Sequence, residues 1–209
     1  GAFGLWARAT PSRRVLTEGL EGADSWVTDG HKWLQVPYDC GFAIVRDREA
    51  HQRAMNNWAS YLPVVAQGDR VPSAFVPELS RRARGVPVWA MLKSLGRQGM
   101  VELVQRNCAE AVQLAARLDA EPGVTVVNDV VLNQVIVEFG EGDTAARKAL
   151  TERVIAGVQA DGTCFAAGAG WRDRWVMRLS VSSAETTPED IDRSAEAIIR
   201  VWREVSERR

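Results

Sequence analysis

Lysine is scarce in this chain: of the 26 Lys and Arg residues among 209, only Lys32, Lys93 and Lys148 are lysines. Chemistry that needs a side-chain primary amine therefore has three candidates. Cys40, Cys108 and Cys164 lie far apart with no C-x-x-C pair, and the only histidines are His31 and His51. This excludes a disulfide framework and a zinc site of ordinary ligand spacing, and it leaves the thiols as small buried groups. No apolar run approaches the roughly 20 residues needed to cross a bilayer. The opening residues also lack the basic, apolar and small-residue regions of a secretory signal, so the expected location is cytoplasmic with no membrane partner. Charge of either sign is not in excess, with 26 basic against 27 acidic residues, and nucleic acid has no electrostatic reason to bind.

What remains is an ordinary globular composition, 46% apolar and 25% charged. Pro11 to Leu20 has helical spacing and ends at Gly19 and Gly22. Ser25–Thr28 and Gly41–Val45 are β-branched and apolar runs that predict strands, with His31-Lys32-Trp33 on the turn between them. His51 falls on a short polar helix and is assigned to the surface. Residues 56–80 have no period and contain Pro63, Gly68, Pro72 and Pro77, which predicts a long loop of the kind that usually carries function. Helices are predicted over 86–95 and 99–119, then strands at 124–127 and 134–139, a helix over 143–160, and a strand at 175–181. The last helix opens with Thr187 as cap and Pro188 in its first turn. The order divides the chain near residue 98 into part of an α/β layer, residues 1–98, and a smaller α+β domain, residues 99–209.

The sharpest local feature is Ser25-Trp26-Val27-Thr28-Asp29-Gly30-His31-Lys32-Trp33-Leu34, a lysine beside a histidine at the end of a strand. An amine among apolar residues loses hydration, and its free form can then condense with an aldehyde. Packing of the lysine stem on Trp33 is the other reading of the same residues.

The series Ala23-Asp24-Ser25, His31-Lys32-Trp33-Leu34 and Tyr38-Asp39-Cys40 resembles the cofactor-lysine segment of the group II pyridoxal-phosphate decarboxylases, the family of aromatic amino acid, histidine and glutamate decarboxylases. The resemblance implies a fold-type-I α/β architecture, with residues 1–98 the C-terminal part of the cofactor-binding large domain and 99–209 the small C-terminal domain. It implies pyridoxal 5'-phosphate held on Lys32, with His31 and Asp29 also at the cofactor; the family often has Asn where this chain has Asp29. Tyr61, in the long loop, matches the family's loop tyrosine that helps return a proton to the substrate carbon after CO₂ leaves. Such a phenol can deliver a proton while the closed loop excludes water. Arg178 matches a strand arginine with which glutamate-specific members hold a substrate carboxylate. An arginine buried among apolar strand residues would need an anionic partner, and for Arg178 that partner is either substrate or an internal Asp or Glu.

The resemblance further implies an amino acid substrate and a homodimer with shared active sites. The family's ring-stacking histidine, phosphate-binding loop and pyridinium-pairing aspartate all precede the matched region. The opening Gly1-Ala2-Phe3-Gly4-Leu5-Trp6 resembles the segment directly after that aspartate, so these residues alone are expected to be inactive. Two alternatives stay open. One is a related carbon–carbon lyase or aldehyde-forming enzyme, and the other is a non-catalytic fragment that pairs with a complementary chain.

Overall fold

The alternation of Trp26 and Thr28, turned inward, with exposed Ser25 and Val27 makes Ser25–Asp29 a strand, β1. It pairs antiparallel with Gly41–Val45, β2, from Ser25 opposite Val45 to Asp29 opposite Gly41. The computed structural model describes residues 1–55 and 71–207. The chain divides into two units, Gly1–Arg8 with Ser12–Gly96, and Ala9–Pro11 with Arg97–Arg209.

In the first unit, the helix expected after Pro11 is instead a run of 3-10 turns, Pro11–Thr17. The stretch is too short to offset the cost of an α-helical nucleus. The Thr17 hydroxyl also donates to the Arg14 carbonyl at 2.7 Å, tying down the last turn. Arg48–Met55 forms α1 as expected, opened by the Asp47 carboxylate accepting from the Ala50 amide at 2.8 Å. A short 3-10 turn, Pro72–Phe75, precedes the long helix α2, Gly85–Asp119. That helix is broken at Gly96 (φ 60, ψ −175), a conformation costly for any residue with a Cβ, so the two helices read from the sequence meet there.

The second unit is a four-stranded antiparallel sheet in the order β3-β4-β6-β5, with β3 Val124–Val126, β4 Gln134–Phe139, β5 Ala167–Trp171 and β6 Arg174–Ser180. Two helices, α3 (Thr144–Asp161) and α4 (Pro188–Glu207), complete it. Val135, Val137 and Phe139 of β4 and Met177 and Leu179 of β6 turn to one face and pack with Leu118, Val154 and Ile198 from the helices. α3 is bounded by Asp143, which accepts from the Ala146 amide at 2.8 Å, and by Gly162 at φ 78. α4 starts on a reciprocal cap: Thr187 Oγ1 accepts from the Asp190 amide at 3.2 Å, and Asp190 Oδ2 accepts from the Thr187 amide at 3.1 Å.

β5 gave no signal in the sequence because its residues, Ala-Gly-Ala-Gly-Trp, are small. A Cβ at Gly168 would lie 2.6 Å from the Trp175 ring, so the indole takes the volume that a β-branched residue would otherwise fill. The β5–β6 connection is a two-residue turn with both Arg172 (φ 45) and Asp173 (φ 63) left-handed, the geometry that suits a tight hairpin. Among the described residues, no helix is long and apolar enough to cross a membrane.

Trp202 closes one end of this core. Its indole N–H donates to the Pro122 carbonyl at 2.9 Å, and its ring lies 5.7 Å from that of Phe139. Gly123 (φ 78) lies so close that a Cβ there would fall 2.6 Å from the indole. Trp202→Ala therefore removes both a packed ring and a hydrogen bond, and denaturant unfolding should show a loss of about 3–5 kcal/mol.

Candidate active site

The turn between β1 and β2 is folded back on the residues that enter β2. The Cys40 carbonyl accepts from the Gly30 amide at 2.8 Å and the His31 amide at 3.4 Å, while the Cys40 amide donates to His31 Nδ1 at 3.0 Å. Gly30 is required by proximity, since a Cβ there would meet Cys40 Sγ at 2.9 Å and Phe42 Cε2 at 2.8 Å. Gln35 caps the far side of the turn in a left-handed conformation (φ 57), its side chain donating to the Lys32 carbonyl at 2.7 Å. Trp33 and Leu34 are buried beneath. Trp33 packs edge-on to Phe3, centroids 5.4 Å apart.

Lys32 points its amine at Asp29, Nζ to Oδ2 2.6 Å, with about a third of each side chain exposed. The Phe3 ring flanks the same ammonium at 5.6 Å. His31 Nε2 is 3.9 Å from the same Asp29 oxygen. Because His31 Nδ1 accepts a backbone hydrogen bond, that nitrogen carries no proton, which leaves Nε2 as the donor. The Tyr38 ring lies tilted against the imidazole, centroids 3.9 Å apart. The hydrogen bond from Lys32 holds the Asp29 carboxyl below its ordinary value, against an opposing effect of burial, with the charge of Lys32 adding to the lowering. Burial pushes the Cys40 thiol up, so it is a structural group and not a nucleophile.

Of the five residues singled out in the sequence, Asp29, His31 and Lys32 converge on one turn. Tyr61 lies outside the described residues. Arg178 sits in the second unit on β6, opposite Ile136 and Ala167, on the face that alternates away from Met177 and Leu179. It is exposed and makes no ion pair among the described residues. Of the two partners expected for Arg178, a substrate carboxylate or an internal acid, no internal acid is paired with it among the described residues, and strand alternation turns its side chain outward instead of burying it. The buried acid of this sheet is Glu138, paired with Arg147 at 3.3 Å and Arg174 at 3.4 Å. The sequence reading gave no role to Tyr38 or to the Cys40 peptide, although both belong to the Tyr38-Asp39-Cys40 series. A tyrosine within reach of the histidine was the available signal. No cluster of potential metal ligands occurs among the described residues.

These side chains suit pyridoxal phosphate by their donor chemistry: a primary amine for its aldehyde, an imidazole N–H for an anionic oxygen, and an aromatic ring beside the amine. The fold is that of the fold-type-I pyridoxal-phosphate decarboxylases. It superposes on Oryza sativa TDC, solved with PLP and tryptamine, with a TM-score of 0.88 at 20% identity, covering 98% of this chain and 44% of that one. It matches mouse CSAD with a TM-score of 0.81 at 19% identity, covering 96% and 44%. The chain belongs to the pyridoxal-dependent decarboxylase family, whose conserved domain matches residues 2–139. It is 28% identical to aromatic-L-amino-acid decarboxylase of Drosophila lebanonensis over 94% of this chain and 46% of the relative. Histidine decarboxylase of Mus musculus is 27% identical over 91% and 28%. The chain thus spans less than half the length of these curated relatives.

The Asp29–Lys32 pair sets a pH dependence. A carboxyl lowered on folding stabilises the folded state above its unfolded value of 3.8 and loses that contribution as pH falls through its lower folded value. Asp29→Asn should therefore flatten the acid limb of stability, seen by thermal unfolding between about pH 5 and pH 2, and leave stability at neutral pH within roughly 1 kcal/mol.

Proposed function

We propose that the whole protein decarboxylates an L-amino acid to its amine and CO₂ with pyridoxal 5'-phosphate held on Lys32. The observation that carries this reading is the Lys32 amine, presented on a rigid turn 2.6 Å from Asp29 inside the segment that matches the family. When bound, the cofactor supplies an electron sink for the pair left behind by the departing carboxylate.

The chain's own groups then have separate tasks. Asp29 holds the Lys32 amine in place until the amine is needed, which departs from a direct contact between this carboxylate and the cofactor phosphate. His31 offers its Nε2 proton to an anionic oxygen. Tyr61 returns a proton to the substrate carbon, and Arg178, exposed and without an ion pair among the described residues, holds a substrate carboxylate. In this reading residues 1–98 belong to the cofactor-binding domain and 99–209 form the small C-terminal domain. The enzyme works in the cytoplasm as a homodimer with shared sites, and these 209 residues alone do not turn over substrate.

The test is borohydride reduction of the full-length protein after incubation with pyridoxal phosphate, followed by peptide mass mapping. One reduced adduct on Lys32 is expected, absent from Lys32→Ala, with CO₂ release in that variant down roughly 10³-fold or more. An adduct on other lysines, unaffected by Lys32→Ala, contradicts the assignment.

A further inference from the structure

A single peptide group, the one joining Asp39 to Cys40, is held at both ends. Its N–H donates to His31 Nδ1 at 3.0 Å. Its carbonyl oxygen, that of Asp39, accepts from Arg82 Nη2 at 2.9 Å and from Arg84 Nε at 3.1 Å. Arg84 also grips the Asp39 carboxylate as a fork, Nε to Oδ1 3.0 Å and Nη2 to Oδ2 3.2 Å. Arg82 Nη2 reaches the Pro37 carbonyl at 3.2 Å as well. Glu78 is a second, looser carboxylate on Arg84 at 3.7 Å. These arginines lie some 45 residues beyond the turn they hold, just before α2.

Exposed ion pairs ordinarily contribute little, but three features separate this one. Arg84 is only 28% exposed, the fork is bidentate, and two cationic donors meet on one carbonyl. Positive charge at a carbonyl oxygen polarises the whole peptide and makes its N–H a stronger donor. Here that N–H faces an imidazole nitrogen that can accept only when unprotonated.

We propose that Arg84, assisted by Arg82, is a positioning residue that fixes the tautomer of His31: by holding and polarising the Asp39–Cys40 peptide, it keeps Nδ1 as acceptor and the ring proton on Nε2. The proposal rests on the reading of Lys32 and His31 as the cofactor site, and deepens it by naming what holds His31 ready to donate. The hydrogen bond from Arg84 also lowers the Asp39 carboxyl, and Asp39 in turn raises the Arg84 guanidinium, so both stay charged over the working range. Lysine in place of Arg84 keeps the charge but has no fork.

The test uses the full-length protein and has two arms. Without cofactor, the amide exchange of Cys40 and the ¹⁵N-histidine spectrum of His31, assigned by His31→Asn, are compared among wild type, Arg84→Lys, Arg84→Gln and Arg82→Gln/Arg84→Gln. With cofactor, the rate of forming the borohydride-trapped Lys32 adduct is measured in the same set. The expected result is Cys40 exchange faster by about tenfold or more in the double variant and loss of the single Nε2–H tautomer signature. Adduct formation should slow about tenfold, with Arg84→Lys between wild type and Arg84→Gln. A double variant with wild-type exchange and an unchanged His31 spectrum overturns the proposal, whatever the adduct does. Should wild type form no Lys32 adduct, the functional reading fails, while the cofactor-free arm still decides whether the arginines hold the peptide. Arg84→Lys, the mildest change, decides the same question if the glutamine variants do not fold.

Discussion

The Cys40 backbone closes the lysine turn, accepting through its carbonyl from Gly30 and His31 and donating through its amide to the His31 ring. Everything proposed for the site depends on this closure. It explains why residue 30 is glycine, since the close approach leaves no room for a Cβ. It sets the His31 tautomer, and it sends the Lys32 side chain out of the turn toward Asp29 while Trp33 and Leu34 turn into the interior. A lysine on a freely moving loop would lose much of its reactivity to disorder. Here the backbone is fixed on both sides, by Cys40 on one and by the Gln35 side chain on the other.

The Asp29–Lys32 pair gives the site its electrostatic character. The Asp29 carboxylate accepts a hydrogen bond from the Lys32 amine at 2.6 Å. This differs from the picture of an amine made reactive by apolar surroundings alone. Apolar contact is present, from Phe3, but the nearest group is an anion. In the function proposed, an aldehyde cofactor competes with that anion for Lys32.

Much of this was legible from particular residues. The strands at 25–28 and 41–45 and the cap at Thr187 all carry local signals, and local signals survive folding. β5 was not legible, because its glycines and alanines are small to make room for Trp175, a partner that no local pattern announces. The 3-10 turns after Pro11 had helical spacing but too few residues to propagate a helix. For the site, the sequence placed Lys32, His31 and Asp29 together because they are adjacent. The hold of Arg82 and Arg84 on the turn spans some 45 residues, a contact no local pattern announces, and Arg178, an arginine among apolar strand residues, is turned out by strand alternation.

For the site to work as proposed, Lys32 must leave Asp29 to carry the cofactor. A crystal structure of the full-length protein grown with pyridoxal phosphate measures this without intermediary. Continuous density is expected from Lys32 Nζ to the cofactor's aldehyde carbon, with Asp29 released from the amine and His31 Nε2 directed at an anionic oxygen. Cofactor bound elsewhere, with Lys32 still paired to Asp29, would refute the assignment of Lys32.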